Sequence, residues 1–258
     1  MNISLEGKRA LVTGAAAGIG AAIAAAYDAA GARVHICDVD VAALAAFAAR
    51  YPKITASVTD VSDDAAVGAL FDDALRAMGG LDILVNNAGI AGPTARVEDI
   101  AVADWKRTLA IDLDSVFLCT RRAVPVLRQA GGGSIITLSS AAGRLGLPMR
   151  SPYTASKFAI VGLTETWAME LGPDNIRVNC IQPGYVEGDR VDRVITAKAQ
   201  ARGVSFEQQQ KDFVSRVSLR TMVTADDIAN MALFIASDAG RHISGQALSV
   251  CGNIETLG

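Results

Sequence analysis

Residues 8–20 read KRALVTGAAAGIG, and their pattern decides the fold. Lys8 to Thr13 is a short apolar strand, and Gly14, Gly18 and Gly20 follow it at once. An alanine-rich helix is expected next, from about Ile19 to Ala30, with Gly31 as its C-cap. Glycine spacing alone is a weak signal. Strand, glycine turn, helix and second strand (Arg33 to Asp38) in direct succession make a βαβ unit whose turn lets the main chain approach an anion closely. The free N–H groups and positive dipole end of the helix then face that anion. Gly14, Ala17, Gly18, Ile19 and Gly20 are therefore candidates to cradle the pyrophosphate of a dinucleotide.

Asp38 ends the second strand. A carboxylate there accepts both ribose hydroxyls of an adenosine, whereas a 2′-phosphate meets like charge. No arginine or lysine lies between Gly14 and Gly20, and Val39 follows Asp38, so the expected cofactor is NAD rather than NADP. The plainer alternative is that Asp38 caps the helix beginning near Asp40.

The alternation continues. A helix from Val41 to Tyr51 is followed by a strand from Ile54 to Thr59, then by a helix from Ser62 or Asp63 to Met78 that Gly79 and Gly80 stop. A fourth strand, Leu81 to Val85, closes in Asn86-Asn87-Ala88-Gly89. Four such alternations predict an α/β fold, a doubly wound parallel sheet with helices on both faces. At 258 residues, 51% of them hydrophobic, the chain suits one core and a single Rossmann-type domain over 1–258.

Net charge is −3 and the 24 basic residues are dispersed, so no nucleic-acid surface is expected. With neither a signal core nor an apolar run long enough to span a bilayer, the expectation is a soluble, cytoplasmic protein with no membrane partner. Cys37, Cys119, Cys180 and Cys251 are far apart, and His35 and His242 are the only histidines. Neither a metal nor a disulfide is expected.

A second stretch, SSAAGRLGLPMRSPYTASK at 139–157, carries the chemistry. Pro152 suits a helix start, and four residues of helical spacing put Tyr153 and Lys157 on one face. Ser134 to Ser139 reads as a buried strand that delivers Ser139 and Ser140 to its C-terminal edge. A free phenol is a poor base at neutral pH, and a nearby ammonium favours the phenolate by Coulomb attraction. Ser140 can then hold a substrate oxygen while Tyr153 moves its proton. Taken alone, YxxxK also arises by chance on a helix with a packed tyrosine and a solvated lysine.

Taken together and in order, TGAAAGIG at 13–20, Asp60-Val61, NNAG at 86–89, Ser140, YTASK at 153–157 and Pro183-Gly184 resemble the short-chain dehydrogenase/reductase family nearly end to end. The resemblance implies hydride transfer through a nicotinamide, and a homotetramer. It places Asp60 and Val61 at the adenine ring, and Asn86, Asn87, Ala88 and Gly89 under the adenosine side of the cofactor. Ser140 becomes the substrate-oxygen partner and Tyr153 the acid/base, while Lys157 becomes both the phenol's partner and a donor to the nicotinamide ribose. Pro183, Gly184 and Val186 line the nicotinamide end, with main-chain groups of Tyr185 and Val186 orienting the ring.

Two positions depart from the family pattern. Asp112 stands where relatives usually have an asparagine that helps hold a water near the lysine, completing a proton relay. Aspartate accepts hydrogen bonds in the same main-chain conformation but donates none. The relay is expected to survive, with Asp112 among the catalytic residues. Gly188 stands where a threonine often contacts the carboxamide.

Residues 185–222 are polar and charged with helical patterning, and are expected to form a substrate-binding lid or an added surface helix pair. Arg144 and Arg150 flank the loop between Ser140 and Tyr153, and Arg190 and Arg193 lie in the lid. If two of them face the cleft, an anionic substrate follows; if they are solvated, a neutral sugar or polyol fits equally. The expected activity is NAD-dependent interconversion of a secondary alcohol and a carbonyl on a sugar, polyol, sugar acid or hydroxy acid. The alternatives are a 3-oxoacyl-thioester reductase and a non-catalytic nicotinamide sensor.

Overall fold

The computed structural model describes residues 3–257, apart from the side chains of Asp189, Arg190, Ala197 and Ala201. Along the chain lie β1 (Arg9–Thr13), α1 (Gly18–Ala29), β2 (Arg33–Asp38), α2 (Val41–Arg50), β3 (Thr55–Val58), α3 (Asp64–Met78) and β4 (Ile83–Asn86). Then follow α4 (Val102–Leu109), α5 (Ser115–Gln129), β5 (Gly133–Leu138), α6 (Ser151–Leu171), β6 (Ile176–Pro183), α7 (Asp189–Arg202), α8 (Phe206–Val214), α9 (Ala225–Ala236) and β7 (Ala247–Val250). The seven strands form one parallel sheet in the order β3-β2-β1-β4-β5-β6-β7.

Both sheet faces are buried, so the strands read as continuous apolar runs whose side chains alternate between two cores. Ala10, Val12, Val34, Ile36, Ile83, Val85 and Ile136 point to one face, against α1, α2 and α9. Leu11, Cys37, Leu84 and Ile135 point to the other, against α3 and α5. On the first face the buried Tyr27 hydroxyl of α1 donates to the Ala232 carbonyl of α9 at 3.1 Å. Arg9 clasps Asp82 with both Nε and Nη2, at 2.7 and 3.0 Å, fixing the base of β1 against that of β4.

The strand order reverses between β1 and β4, and at such a switch the flanking loops part to leave a crevice at the carboxyl ends of the strands. Thr13, Asn86, Leu138 and Pro183, which end β1, β4, β5 and β6, all sit at that edge. The chain is helical without interruption from α4 through α5, and a π-helical turn between them, Ala110–Asp114, holds Asp112. The charged stretch 185–222 folds as the α7–α8 pair, with a small core of its own from Val191, Ile195, Phe213 and Met222. Among the described residues, no helix is long and apolar enough to cross a membrane.

Candidate active site

The cofactor side of the crevice is made of main chain. Gly14 and Gly18 adopt φ of +60° and +58°, a left-handed turn that L side chains rarely take. A Cβ on Gly14 would stand 2.7 Å from the Ala88 Cα, so the ends of β1 and β4 meet only because this residue is glycine. Asn87 fastens the two turns together. Its Nδ2 donates to the carbonyls of Thr13 and Gly14 at 2.9 and 2.7 Å, while Thr13 Oγ1 accepts from the N–H groups of Asn87 and Ala88.

Four helices are capped by side chains: Asp40 caps α2, Asp63 caps α3, Ser205 caps α8 and Thr224 caps α9. Helix α1 has no such cap, since Ala17 occupies the position and the first turn holds no acid. Its leading N–H groups therefore keep their donors for an anion. A Cβ on Gly18 would meet nothing within 4 Å, so this cradle opens outward. These features fit a dinucleotide pyrophosphate.

Asp38 is not the cap of α2. Its Oδ2 accepts from the Ala16 N–H and its Oδ1 from that of Asp40, both at 3.1 Å, which sets the carboxylate at the rim of the cradle where a ribose would lie. Asp60 Oδ1 takes the N–H and hydroxyl of Ser62, and these bonds hold the carboxyl below the usual carboxylate range. Val61 beside it is buried.

The catalytic side is made of side chains. Strand β5 runs out at Leu138, whose carbonyl accepts from Lys157 Nζ at 2.9 Å. The Ser139 hydroxyl donates to the Lys157 carbonyl at 2.8 Å, tying α6 to the strand end. Ser140 Oγ accepts from the Ala142 N–H at 3.1 Å, which orients its hydroxyl at the crevice edge. One helical turn brings Lys157 Nζ to 5.5 Å from the Tyr153 ring centre. Ser140 thus lies at the end of the strand to which α6, the helix of Tyr153 and Lys157, is tied.

Lys157 is only 4% exposed, and a buried ammonium needs negative partners. Asp112, fully buried in the π-turn, supplies a carboxylate beside it. The two flank Gly89, where a Cβ would lie 3.2 Å from Asp112 Oδ1 and 3.6 Å from Lys157 Nζ. Oδ1 also accepts from the Ile90 N–H at 2.7 Å, so the aspartate secures the loop after β4.

Just past the end of β6, a Cβ on Gly184 would strike the Cys251 Cα at 2.7 Å. The Tyr185 carbonyl accepts from the Val223 N–H at 3.0 Å, and Val186 pairs with Val223, clasping the two ends of the α7–α8 insertion. Gly188, at φ +124°, then turns the chain into α7.

The four arginines part company. Arg144 reaches the C-terminal segment, where Nη2 donates to the Ile254 carbonyl at 3.0 Å. Arg193 is exposed on α7, and the Arg190 side chain lies outside the described residues. Of the described three, Arg150 meets the catalytic group, with Cζ 5.4 Å from the Tyr153 ring centre. Sequence reasoning passed over the Tyr185 side chain, which packs against the same apolar cluster as Tyr153.

Comparison with known proteins agrees with this architecture. The family described as enoyl-(acyl carrier protein) reductase matches residues 14–252. A 3-alpha-(or 20-beta)-hydroxysteroid dehydrogenase of Mycobacterium tuberculosis is 38% identical over 98% of this chain and 91% of its own. A 7 alpha-hydroxysteroid dehydrogenase solved with NADH and 7-oxo glycochenodeoxycholic acid superposes with a TM-score of 0.90 at 34% identity, over 100% of this chain and 98% of that one. An NAD+-bound xylitol dehydrogenase gives 0.91 at 31% identity, over 96% and 99%. The chain belongs to the short-chain dehydrogenase/reductase family of oxidoreductases.

Proposed function

We propose that this protein uses NAD to interconvert a secondary alcohol and a carbonyl, on a sugar, polyol, sugar acid or hydroxy acid. The observation that carries the proposal is Lys157 Nζ standing 5.5 Å from the Tyr153 ring centre while bonded to the carbonyl at the end of β5. NAD, when bound, accepts the hydride. Tyr153 takes the hydroxyl proton and Ser140 donates a hydrogen bond to the oxygen as it becomes a carbonyl oxygen. Lys157, held by the Leu138 carbonyl, would present its ammonium to the nicotinamide ribose. Asp112 positions Lys157 and the loop after β4, and protons pass to solvent along a water relay anchored on main-chain carbonyls.

Asp38 supports NAD over NADP, because its carboxylate already sits at the cradle rim and opposes a 2′-phosphate. Asp60, Val61, Asn87, Ala88, Gly89, Pro183, Gly184 and Val186 complete the cofactor groove, and α7–α8 is the substrate lid. The reading includes a homotetramer, for which the exposed Trp105, Phe117, Phe158 and Met169 on α4, α5 and α6 offer apolar surface.

The test is the absorbance of reduced nicotinamide with NAD or NADP and a panel of these alcohols. Tyr153→Phe should lower turnover by at least about a thousandfold while NAD affinity stays within a few-fold. Activity retained in that variant, or a preference for NADP, would break the assignment.

A further inference from the structure

We propose that residues 251–257 position Ser140 for the reaction, with Ile254 as the wall against which the serine's turn is set and Arg144 as the tie between the two. The proposal rests on the alcohol-dehydrogenase reading above and adds positioning residues to that site.

Ser140 stands past the end of β5, at the head of a single 3-10 turn, Ala141–Gly143. The Gly143 N–H donates to the Ser140 carbonyl at 2.8 Å, and the N–H groups of Arg144 and Leu145 both reach the Ala141 carbonyl, at 3.1 and 3.0 Å. Inside this turn the Ala142 N–H holds Ser140 Oγ, so the hydroxyl points wherever the turn directs it. One turn is too short to hold its own place in water. Its two alanines also leave it little side chain to hold it by, and its placement falls to the surface they press against.

That surface comes from residues 251–257. Ala141 and Ala142 are buried in one apolar cluster with Cys251, Ile254, Leu257 and Val217, and Tyr153 packs against the same cluster. Arg144, just past the turn, donates through Nη2 to the Ile254 carbonyl at 3.0 Å and to Cys251 Sγ at 3.6 Å. The segment is itself pinned from the side away from the turn. The Ser218 and Leu219 N–H groups donate to the carbonyls of Asn253 and Gly252, at 2.9 and 3.1 Å, and the Glu255 N–H donates to the Arg216 carbonyl at 2.9 Å. The Ser218 hydroxyl donates to Glu255 Oε1 at 2.9 Å. A segment bonded to the turn alone would move with it, whereas one latched to the loop after α8 is a fixed wall. A hydrogen-bond donor aids the transition state most when it is held in place beforehand, so loosening this wall costs rate at Ser140 and spares the cofactor groove.

A double-mutant cycle on NAD-dependent alcohol oxidation tests the proposal. Ile254→Ala should lower kcat about tenfold and Arg144→Met about fourfold, with NADH affinity within about twofold of native. In a Ser140→Ala background the same substitutions should change kcat by less than about twofold, because the group they position is gone. Arg144→Lys, which keeps a donor for the Ile254 carbonyl, should recover most of the rate. Ile228→Ala, buried on α9 in a different cluster, is the control: it should lower the melting temperature and keep the native kcat. Equal losses in the native and Ser140→Ala backgrounds, or native kcat in both Ile254→Ala and Arg144→Met, overturn the positioning role and leave the dehydrogenase reading standing. If Ile254→Ala does not fold, the Arg144→Met cycle decides alone. Amide hydrogen exchange needs no substrate and separates the two readings if no alcohol is oxidised. Exchange at Ala142 to Leu145 that Arg144→Met speeds about fivefold or more, with β1 and β4 unchanged, keeps the wall and sinks the dehydrogenase reading; unchanged exchange there sinks the wall.

Discussion

The cofactor side and the catalytic side of the crevice are built by opposite means. Around Gly14, Asn87 and the start of α1, contacts run through main-chain atoms: carbonyls receive Asn87, and a glycine lets two strand ends touch. Around Tyr153, contacts run through long side chains, with Arg150 and Lys157 both standing near its ring. Main-chain architecture accepts few residue types and leaves a mark in sequence. Side-chain architecture accepts many and leaves little, so substrate choice can change on one side while cofactor binding persists on the other.

The sharpest test of the main-chain side is Gly14→Ala. A Cβ at positive φ, 2.7 Å from a neighbouring Cα, must push the ends of β1 and β4 apart, at a cost of about 3 kcal/mol. Urea denaturation should show that loss, and fluorescence titration with NADH should show a matching fall in affinity. An unchanged midpoint with full affinity would mean that this side adapts as readily as the other.

Acid should find the same half of the molecule. His35, buried between β2 and β3, bonds Thr55 Oγ1 at 2.7 Å and Ser57 Oγ at 3.0 Å. Its burial outweighs the nearby Asp73 and pushes its pKa down to about 4. The unfolded chain binds this proton first, so stability falls as pH drops from about 6.5 toward 4, by at most about 3 kcal/mol. Thermal melting across that range, native against His35→Gln, measures it. A variant with the same pH slope as the native protein would assign the loss elsewhere.

The smallest effect is expected at Asp112, where the two sides join. Asp112→Asn keeps an acceptor for the Ile90 N–H and should change turnover by less than about threefold, under about 1 kcal/mol of barrier. A rise of tenfold or more would show that the carboxylate hinders the lysine.

The fold was legible because its rules are local and periodic. Alternating apolar strands, the glycine turn and caps such as Thr224, whose capping box with Asp227 forms in full, can each be read within a dozen residues. Helix ends differed from expectation by a residue or two, as fraying turns do. The π-turn between α4 and α5 was not legible, since nothing in Leu109-Ala110-Ile111-Asp112 announces it. Asp112 takes its place there through contacts with Ile90 and the Gly89 turn, which are distant in sequence.

The arginines mark the same boundary. Sequence placed Arg144 and Arg150 on one loop with equal standing, and the fold sent one to Ile254 and the other to Tyr153. Lys198 had no motif at all; α7 packs on α8 and brings its ammonium onto Phe213. Sequence by itself determined the alternation of strands and helices, the glycine turn and the one-turn spacing of Tyr153 and Lys157, because helical and strand periods are set by backbone geometry shared by every chain. Only tertiary packing decided which partners those cations meet, because that depends on where long flexible side chains from elements far apart find room and neighbours.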